Sequence, residues 1–226
     1  MKLLVLLQIL AAPAMLANLL TNGGFELPLV TGATSENFPV GSHGIPGWVV
    51  VPFAPANVSL VRDTFTIGKL TFLPHSGDQS INLTGDISGD AAGVLQDVKL
   101  QVGDEYQLTF WVGNQDNSAP NFTLDATVAL TINNDFVEMY TNGHSSHDAL
   151  NWEQFTYTFT ATKATTSIEF QNFTIPNEDY IGLDDANLVD LSPRSATPEP
   201  ATLCLAGMTL LVAGWRKRMG RSARAH

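Results

Sequence analysis

Cysteine is nearly absent from this chain of 226 residues. Its one cysteine, Cys204, lies in an apolar run close to the C terminus, so the rest of the chain contains no thiol. This excludes an intrachain disulfide, a cysteine nucleophile and a cysteine metal site from the part of the chain that folds in water. We therefore expect that part to be stabilised by apolar burial, with or without a bound metal ion.

Basic residues are scarce in the middle of the chain. Of the eleven Lys and Arg residues, five follow residue 215 and one is Lys2. The segment 18–196 therefore keeps five basic residues against twenty-one of the twenty-two acidic ones, a net charge of −16. Such a surface repels phosphate backbones, so we expect no nucleic-acid partner. It also attracts divalent cations, although the need for solubility outside the cell explains most of the excess of acidic residues.

A helical pattern is nearly absent between residues 18 and 191, where apolar residues recur with a period of two. In the range 106–112 this alternation predicts a strand with two distinct faces. The inward face is Tyr106, Leu108, Phe110 and Val112, and the outward face is Gln107, Thr109 and Trp111. Turn-forming clusters such as Asn133-Asn134-Asp135, a predicted hairpin tip, separate about ten strands. Many short strands without intervening helices predict an all-β fold, an antiparallel β-sandwich of the jelly-roll kind.

The two ends of the chain differ in composition from the segment between them. Residues 1–17 combine the basic Lys2, an apolar stretch and a small-residue cleavage site, which is the layout of a secretory signal peptide. The chain is therefore predicted to be exported, with residues 18–191 as its folded ectodomain. The segments after it are predicted to be a linker, a short membrane helix and a basic cytoplasmic tail, at residues 192–200, 201–215 and 216–226.

The apolar run 201–215 is short for a membrane span, which needs about 20 residues. We expect it to hold the protein at the inner membrane only transiently. The sequence Pro198-Glu199-Pro200, followed by this run and by basic residues, resembles the PEP-CTERM sorting domain of exopolysaccharide-producing Gram-negative bacteria; an ordinary tail anchor is the alternative. The resemblance covers residues 197–218 and implies that exosortase, a membrane protease-transpeptidase, cuts near the motif. The protein would then reach the cell surface or the extracellular space.

The ectodomain carries a second resemblance, in segments that follow one another in a fixed order. These are 18–26 with 45–48, then 75–83, 95–110, 152–162 and 181–188. They resemble galactose-binding-like jelly rolls, which include carbohydrate-binding modules of families four, nine and twenty-two and the bacterial choice-of-anchor domains. The resemblance implies a non-catalytic module that binds polysaccharide or organises a surface matrix or biofilm. The alternatives are a purely structural surface protein without a glycan site and, third, a glycan-active enzyme.

Carboxylates near both ends of the ectodomain are the candidate metal ligands. The resemblance implies that Glu26 shares a structural calcium ion with Asp184 or Asp185, because the first and last strands of a jelly roll are often neighbours. Carbonyl oxygens of the loop that begins at Asn22 would complete the coordination, since calcium takes about six to eight oxygen ligands. The alternative is that these carboxylates cap turns and face solvent.

Three tryptophans of the ectodomain are candidates for stacking on sugar rings. Trp48 follows a Pro-Gly turn and is predicted to lie in the core. Trp111 lies on the polar outward face, where an exposed sugar-stacking anchor and a residue of a second core are equally consistent with the pattern. Trp152 begins a strand and is more simply a packing residue. The predicted ligand-binding residues are Trp111, Asn114, Gln107 and Trp152.

Histidine and serine form no catalytic pattern in this sequence. The histidines of the Gly- and Ser-rich loops match no zinc signature, so solvated loops are the favoured interpretation of His43, His75, His144 and His147. No serine is framed by a strand-turn-helix nucleophile elbow, and the acidic residues cluster in turns instead of on one strand face. We therefore predict that the protein is not an enzyme.

Overall fold

The computed structural model describes residues 17–52, 56–67, 70–85, 92–114, 125–144, 150–174 and 180–192. The predicted signal peptide up to residue 16, the linker and sorting motif from residue 193, the helix 201–215 and the basic tail lie outside these residues. Among the described residues, no helix is long and apolar enough to cross a membrane.

The described part of the chain consists of β-strands connected by turns and loops. In chain order the strands are β1 Ser35–Pro39, β2 Val49–Pro52, β3 Asn57–Arg62, β4 Thr66–Ile67, β5 Leu70–Thr71, β6 Gln79–Asn82, β7 Ala92–Lys99, β8 Glu105–Asn114, β9 Ala126–Ile132, β10 Asp135–Asn142, β11 Asn151–Thr160, β12 Thr165–Asn172 and β13 Ile181–Asp190. A six-stranded sheet has the order β1-β3-β6-β13-β8-β11, and a five-stranded sheet has the order β10-β9-β12-β7-β2. All pairs are antiparallel, which confirms the predicted all-β sandwich.

The main core lies between the two sheets and is built from alternate residues of their strands. The predicted inward side chains of β8 are all buried: Tyr106, Leu108, Phe110 and Val112. The Phe110 ring meets Phe170 of β12 with a centroid distance of 4.8 Å, so the two sheets are in direct aromatic contact. Trp48 is 1% exposed and packs on Phe170 and on Phe25, as the prediction of a core residue required.

A second, smaller core covers part of the outer face of the six-stranded sheet. The segment between β3 and β6 folds back over this face and buries the Phe72 ring. The cluster contains Val61, Phe72, Leu150 and Tyr180, with Phe65 and Trp152 packed against it. The Trp152 ring lies over two glycines of neighbouring strands, and a Cβ atom at Gly182 would come within 2.7 Å of its Cη2 atom. The strand alternation therefore continues into a second buried layer on this side.

The N-terminal segment runs along β13, as the jelly-roll prediction required. The Asn18 side chain donates to the carbonyl of Ala186 at 2.9 Å and accepts from the amide of Leu188 at 2.9 Å. A β-bulge interrupts the pairing of β13 with β8 between Asp184 and Asn187. Bulges of this kind redirect side chains away from the regular alternation. The first and last segments of the domain are thereby brought together at the bulge.

β11 is one of the two edge strands of the six-stranded sheet, and β10 is one of the two edge strands of the five-stranded sheet. β9 and β10 form a hairpin whose turn is Asn133-Asn134, both with positive φ (56° and 68°). This is the mirror-image turn that two-residue hairpins favour, and it confirms the predicted hairpin tip. A β-bulge follows in β10 between Phe136 and Glu138.

Candidate functional site

The predicted metal ligands come together with two residues of the loop that precedes β6. Asp184 and Asp185 lie at the bulge of β13, and His75 and Ser76 reach them from that loop. We refer to these four residues, with Glu26, as the bulge cluster. Its members come from three separate parts of the chain, at residue 26, residues 75–76 and residues 184–185, so only the tertiary fold assembles it.

The carboxylate of Asp184 is buried and accepts hydrogen bonds from backbone amides. Its side chain is 0% exposed, and Oδ2 accepts from the amides of His75 (3.0 Å) and Ser76 (3.2 Å) while Oδ1 accepts from the amide of Asp185 (2.8 Å). Burial, and secondarily the neighbouring Asp185 charge, raises the pKa of Asp184 to about 8, although these three N–H groups act in the opposite direction. Asp184 therefore fixes the loop to the sheet.

Asp185 has a positive φ of 47°, which turns its side chain out of the strand toward the loop. Its Oδ2 atom lies 2.6 Å from Nδ1 of His75, and its Oδ1 atom accepts from the Ser76 hydroxyl at 2.9 Å. The His75 ring stacks on Trp111 with a centroid distance of 3.8 Å and an interplanar angle of 17°. The loop is thus held by a short imidazole–carboxylate contact, a hydroxyl hydrogen bond and a ring stack.

Glu26 receives backbone amides in the same way as Asp184. Its carboxylate accepts from the amide of Asp78 at 3.1 and 3.2 Å and from the amide of Gln79 at 3.5 Å. Partial burial raises its pKa, and these amides act in the opposite direction. Gly77 lies so close that a Cβ atom there would overlap the Glu26 carboxylate. This glycine is needed for the close approach of the two segments.

The oxygens of the predicted calcium ligands already accept hydrogen bonds within the protein. Glu26, Asp184 and Asp185 face N–H and O–H donors, and a calcium ion, which takes about six to eight oxygen ligands, would have to share or displace these contacts. The Asn22 side chain is hydrogen-bonded to the backbone N–H and the backbone carbonyl of Leu27. The backbone carbonyl of Asn22 accepts from the Trp48 indole N–H. Among the described residues, no group of three or more His, Cys, Asp and Glu side chains could hold a metal ion. Calcium binding stays a prediction, and this arrangement does not support it.

The predicted ligand-binding residues of β8 and β11 do not form an open platform. Trp111 is half-buried and one ring face is covered by His75, so the second-core interpretation fits it better. Trp152 lies in the smaller core and donates its indole N–H to the Leu73 carbonyl at 3.1 Å. Asn114 is 0% exposed and donates to the Asn142 carbonyl, so its side chain does not face solvent and its role in binding a ligand stays a prediction. Gln107 is half-buried on the outward face, four positions from Trp111.

A groove of about 410 Å³ lies between the β9–β10 hairpin and β11, within the usual range for ligand sites of about 300–1,000 Å³. Its aromatic lining is Phe136, which is 60% exposed, and the half-buried Tyr157 and Phe159. The last two rings are nearly parallel, with a centroid distance of 6.1 Å and an interplanar angle of 15°. The acidic residues Asp135 and Glu138 also line this groove, which we call the edge groove.

The edge groove arises from the way the sheets end. Tyr157 pairs with Leu108 and so lies on the inward face of its sheet, but β11 is an edge strand and the face beside it is only partly covered. The bulge in β10 shifts the register between Phe136 and Glu138 on the other side of the groove. The result is an opening in the side of the sandwich with aromatic and acidic walls.

Sequence reasoning missed both His75 and the edge groove. His75 was predicted to be a solvated loop residue, whereas it is bound to Asp185 and stacked on Trp111. No local signal marks this contact, because its partners are distant in sequence. For the groove, the alternation of aromatic and threonine residues in β11 was visible, but it indicated only a core face. The sequence does not tell which strand is at the edge of a sheet.

Several solved structures share this fold. A Stig cyclase from Fischerella sp. TAU, in complex with (3Z)-3-(1-methyl-2-pyrrolidinylidene)-3H-indole, matches with a TM-score of 0.54 and 19% identity, over 80% of this chain and 100% of that chain. A family 16 carbohydrate-binding module matches with a TM-score of 0.45 and 19% identity, over 76% and 99% of the two chains. A family 61 module in complex with β-1,4-galactotriose matches with a TM-score of 0.43 and 18% identity, over 76% and 98%. At 19% identity the likeness to the cyclase shows the fold alone.

Two family models match the chain, and the comparison with curated proteins finds no match. Residues 196–218 match the PEP-CTERM protein-sorting motif, which confirms the resemblance of the tail and indicates an exported protein. Residues 18–183, nearly the whole ectodomain, match the model described as protein of unknown function DUF642. The chain therefore belongs to the DUF642 family.

Proposed function

We propose that this exported protein is a non-catalytic polysaccharide-binding module whose ligand site is the edge groove. The observation that carries the proposal is the combination of exposed and half-exposed aromatic rings with carboxylates in one open groove. A pyranose ring offers C–H groups on its faces and hydroxyls around its rim. Aromatic ring faces can pack on the C–H groups, and carboxylates can accept hydrogen bonds from the hydroxyls.

The position of the rings supports a chain-like ligand. Tyr157 and Phe159 are two positions apart on one strand and their ring planes are nearly parallel. They form a continuous apolar strip along the edge of the sheet, while Phe136 extends from the opposite wall. A groove that is open at the side of a sandwich can accept an internal segment of a polymer as well as its end.

The bulge cluster supports the non-catalytic part of the proposal. Glycoside hydrolysis needs two carboxylates that face a substrate, one as an acid and one as a base or nucleophile. Asp184 is buried and accepts three amides, and Glu26 also accepts amides, so neither has a free oxygen directed to an open site. Their raised pKa values follow from burial within the fold, which is common at structural positions as well.

The C-terminal segment supplies the route to the surface in this proposal. An exosortase-type protease recognises Pro198-Glu199-Pro200 while residues 201–215 hold the protein transiently at the inner membrane. The ectodomain is then released or attached at the cell surface, where a polysaccharide matrix is its partner. Replacing the three motif residues by alanine should leave an uncut form in the membrane fraction. A fully processed variant would contradict this route.

A glycan array with the exported protein tests the proposed site. Phe136→Ala removes the most exposed ring of the groove and should weaken glycan binding by about tenfold or more, since an aromatic contact of about 1.4 kcal/mol corresponds to a factor of ten. Phe173→Ala is the matched control, because Phe173 is 52% exposed and does not line the groove. Saturable binding that survives Phe136→Ala would place the site elsewhere. The absence of any saturable binding would favour a structural surface protein without a glycan site.

A further inference from the structure

The charged side chains that line the edge groove are of one sign. Asp135 and Glu138 both lie in its wall, and none of the described residues that line it is basic. Lys163 follows the lining residue Thr162 in the chain but is not itself part of the lining. The groove therefore has a negative potential at the place where its aromatic rings are accessible.

The aromatic rings add to this preference for positive charge. The faces of Tyr157 and Phe159 carry the negative end of the ring quadrupole, which attracts ammonium groups. Glu138 lies close to this wall, since its charge adds to burial in raising the pKa of the neighbouring Tyr140 hydroxyl to about 12. A cationic group in the groove would meet ring faces and carboxylates together, and an anionic one would meet repulsion from both.

We propose that the polysaccharide bound in the edge groove carries free amino groups, as a partly or fully deacetylated hexosamine polymer does. This inference rests on the proposed function and specifies the ligand class of the same site. The amine of such a sugar is protonated in mildly acidic solution and pairs with Asp135 or Glu138, while the ring packs on Tyr157 or Phe159. Uronic-acid polymers are disfavoured, because their carboxylates would face the two acidic side chains without a basic partner in the described lining.

The test compares three oligosaccharides of equal length on the exported protein by titration calorimetry. These are β-1,4-linked glucosamine, its N-acetylated counterpart and galacturonate, at a pH below the pKa of the amine and at low salt. The glucosamine oligomer should bind at least about tenfold more tightly than the N-acetylated one, and the galacturonate oligomer should not bind. The advantage should decrease as salt is added, because these charges are partly exposed.

A double variant separates the groove from the general acidity of the protein. Asp135→Asn with Glu138→Gln should remove the preference for the amine, because it should weaken binding of the glucosamine oligomer by more than it weakens binding of the N-acetylated oligomer. Asp97→Asn is the matched control, since Asp97 is an exposed carboxylate on β7, three strands from β10 in its sheet. It removes one negative charge without touching the groove and should keep the preference.

The outcomes distinguish this inference from the proposed function. Equal binding of the amine and the N-acetylated oligomer, or a preference that the double variant retains, would overturn the amino-sugar inference and leave glycan binding intact. Failure of all three oligomers to bind would overturn the amino-sugar inference, and the proposed function falls with it only where the glycan array also shows no saturable binding.

Discussion

The bulge cluster and the edge groove both contain acidic and aromatic side chains, yet they differ in what those side chains contact. In the bulge cluster, Asp184 and Glu26 accept backbone amides, and Trp111 is stacked under His75. In the edge groove, Phe136 is 60% exposed and Tyr157 is half-exposed in an open cavity. The same residue types therefore stabilise the fold in one region and remain available for a ligand in the other. Residue type alone does not distinguish the two regions. The difference is whether a side chain already has partners within the protein or is still exposed.

The largest expected effect comes from removing the Asp184 carboxylate. Asp184→Ala leaves the amides of His75, Ser76 and Asp185 without their acceptor, and a buried unpaired donor costs about 1–3 kcal/mol. We expect the free energy of unfolding to fall by about 3 kcal/mol or more, as measured by urea denaturation. Asp97→Asn is the control and should change it by less than about 0.5 kcal/mol. A change in Asp184→Ala as small as that of the control would mean that this carboxylate does not fix the loop.

The pH dependence of stability offers a second test of Asp184. Its pKa rises from 3.8 to about 8 on folding, so the folded state retains a proton that the unfolded state releases. The free energy of unfolding should therefore be greatest below pH 4 with respect to this group and decline as the pH rises toward 8. The slope from one such group is at most about 1.4 kcal/mol per pH unit. Urea titrations across this range should show a smaller decline in Asp184→Asn, and an unchanged slope would refute the assignment.

A smaller effect is expected for His75→Ala, which removes the contact with Asp185 and the stack on Trp111. The contact with Asp185 is partly exposed and contributes little to the free energy of unfolding, and the ring stack contributes a similarly small amount. We therefore expect the free energy of unfolding to fall by about 1 kcal/mol. The tryptophan emission should shift to longer wavelength, because the Trp111 face becomes accessible to water. An unchanged emission spectrum would show that His75 does not cover the ring in solution.

Calcium is expected to have the smallest effect. The carboxylate oxygens of Glu26 and Asp185 are already in contact with hydrogen-bond donors, so an ion would have to compete with those contacts. The melting temperature in millimolar calcium should equal that in chelator. A rise of several degrees that Glu26→Ala abolishes would restore the calcium site implied by the jelly-roll resemblance.

The strand pattern was largely predictable from the sequence, because the alternation of side chains is a local property. The inward residues of β8 from Tyr106 to Val112 are buried as predicted, and Asn133-Asn134 forms the predicted turn. The proximity of the N-terminal segment to the last strand, β13, was also predicted, since it follows from jelly-roll topology. These features depend on periodicity, turn chemistry or family resemblance.

The bulge cluster and the edge groove could not be predicted, because both depend on contacts between segments that are distant in the sequence. Nothing near His75 in the sequence indicates that it lies on Trp111, and nothing near Asn114 indicates that Asn142 buries its side chain. Likewise, the aromatic residues of β11 are half-exposed only because that strand is at the edge of its sheet. The tertiary arrangement decides which polar side chains are hydrogen-bonded within the protein and which aromatic side chains are exposed.

The central claim is that a glycan binds at the edge groove and not at the outward face of β8. The most direct measurement compares the affinity of Tyr157→Ala and Trp111→Ala for the glycan that the array identifies, after circular dichroism has shown that both variants are folded. Tyr157→Ala should lose about tenfold or more in affinity, whereas Trp111→Ala should bind like the unchanged protein. The opposite result, a loss in Trp111→Ala with full binding by Tyr157→Ala, would contradict the account and return the site to the face that the sequence alone indicated.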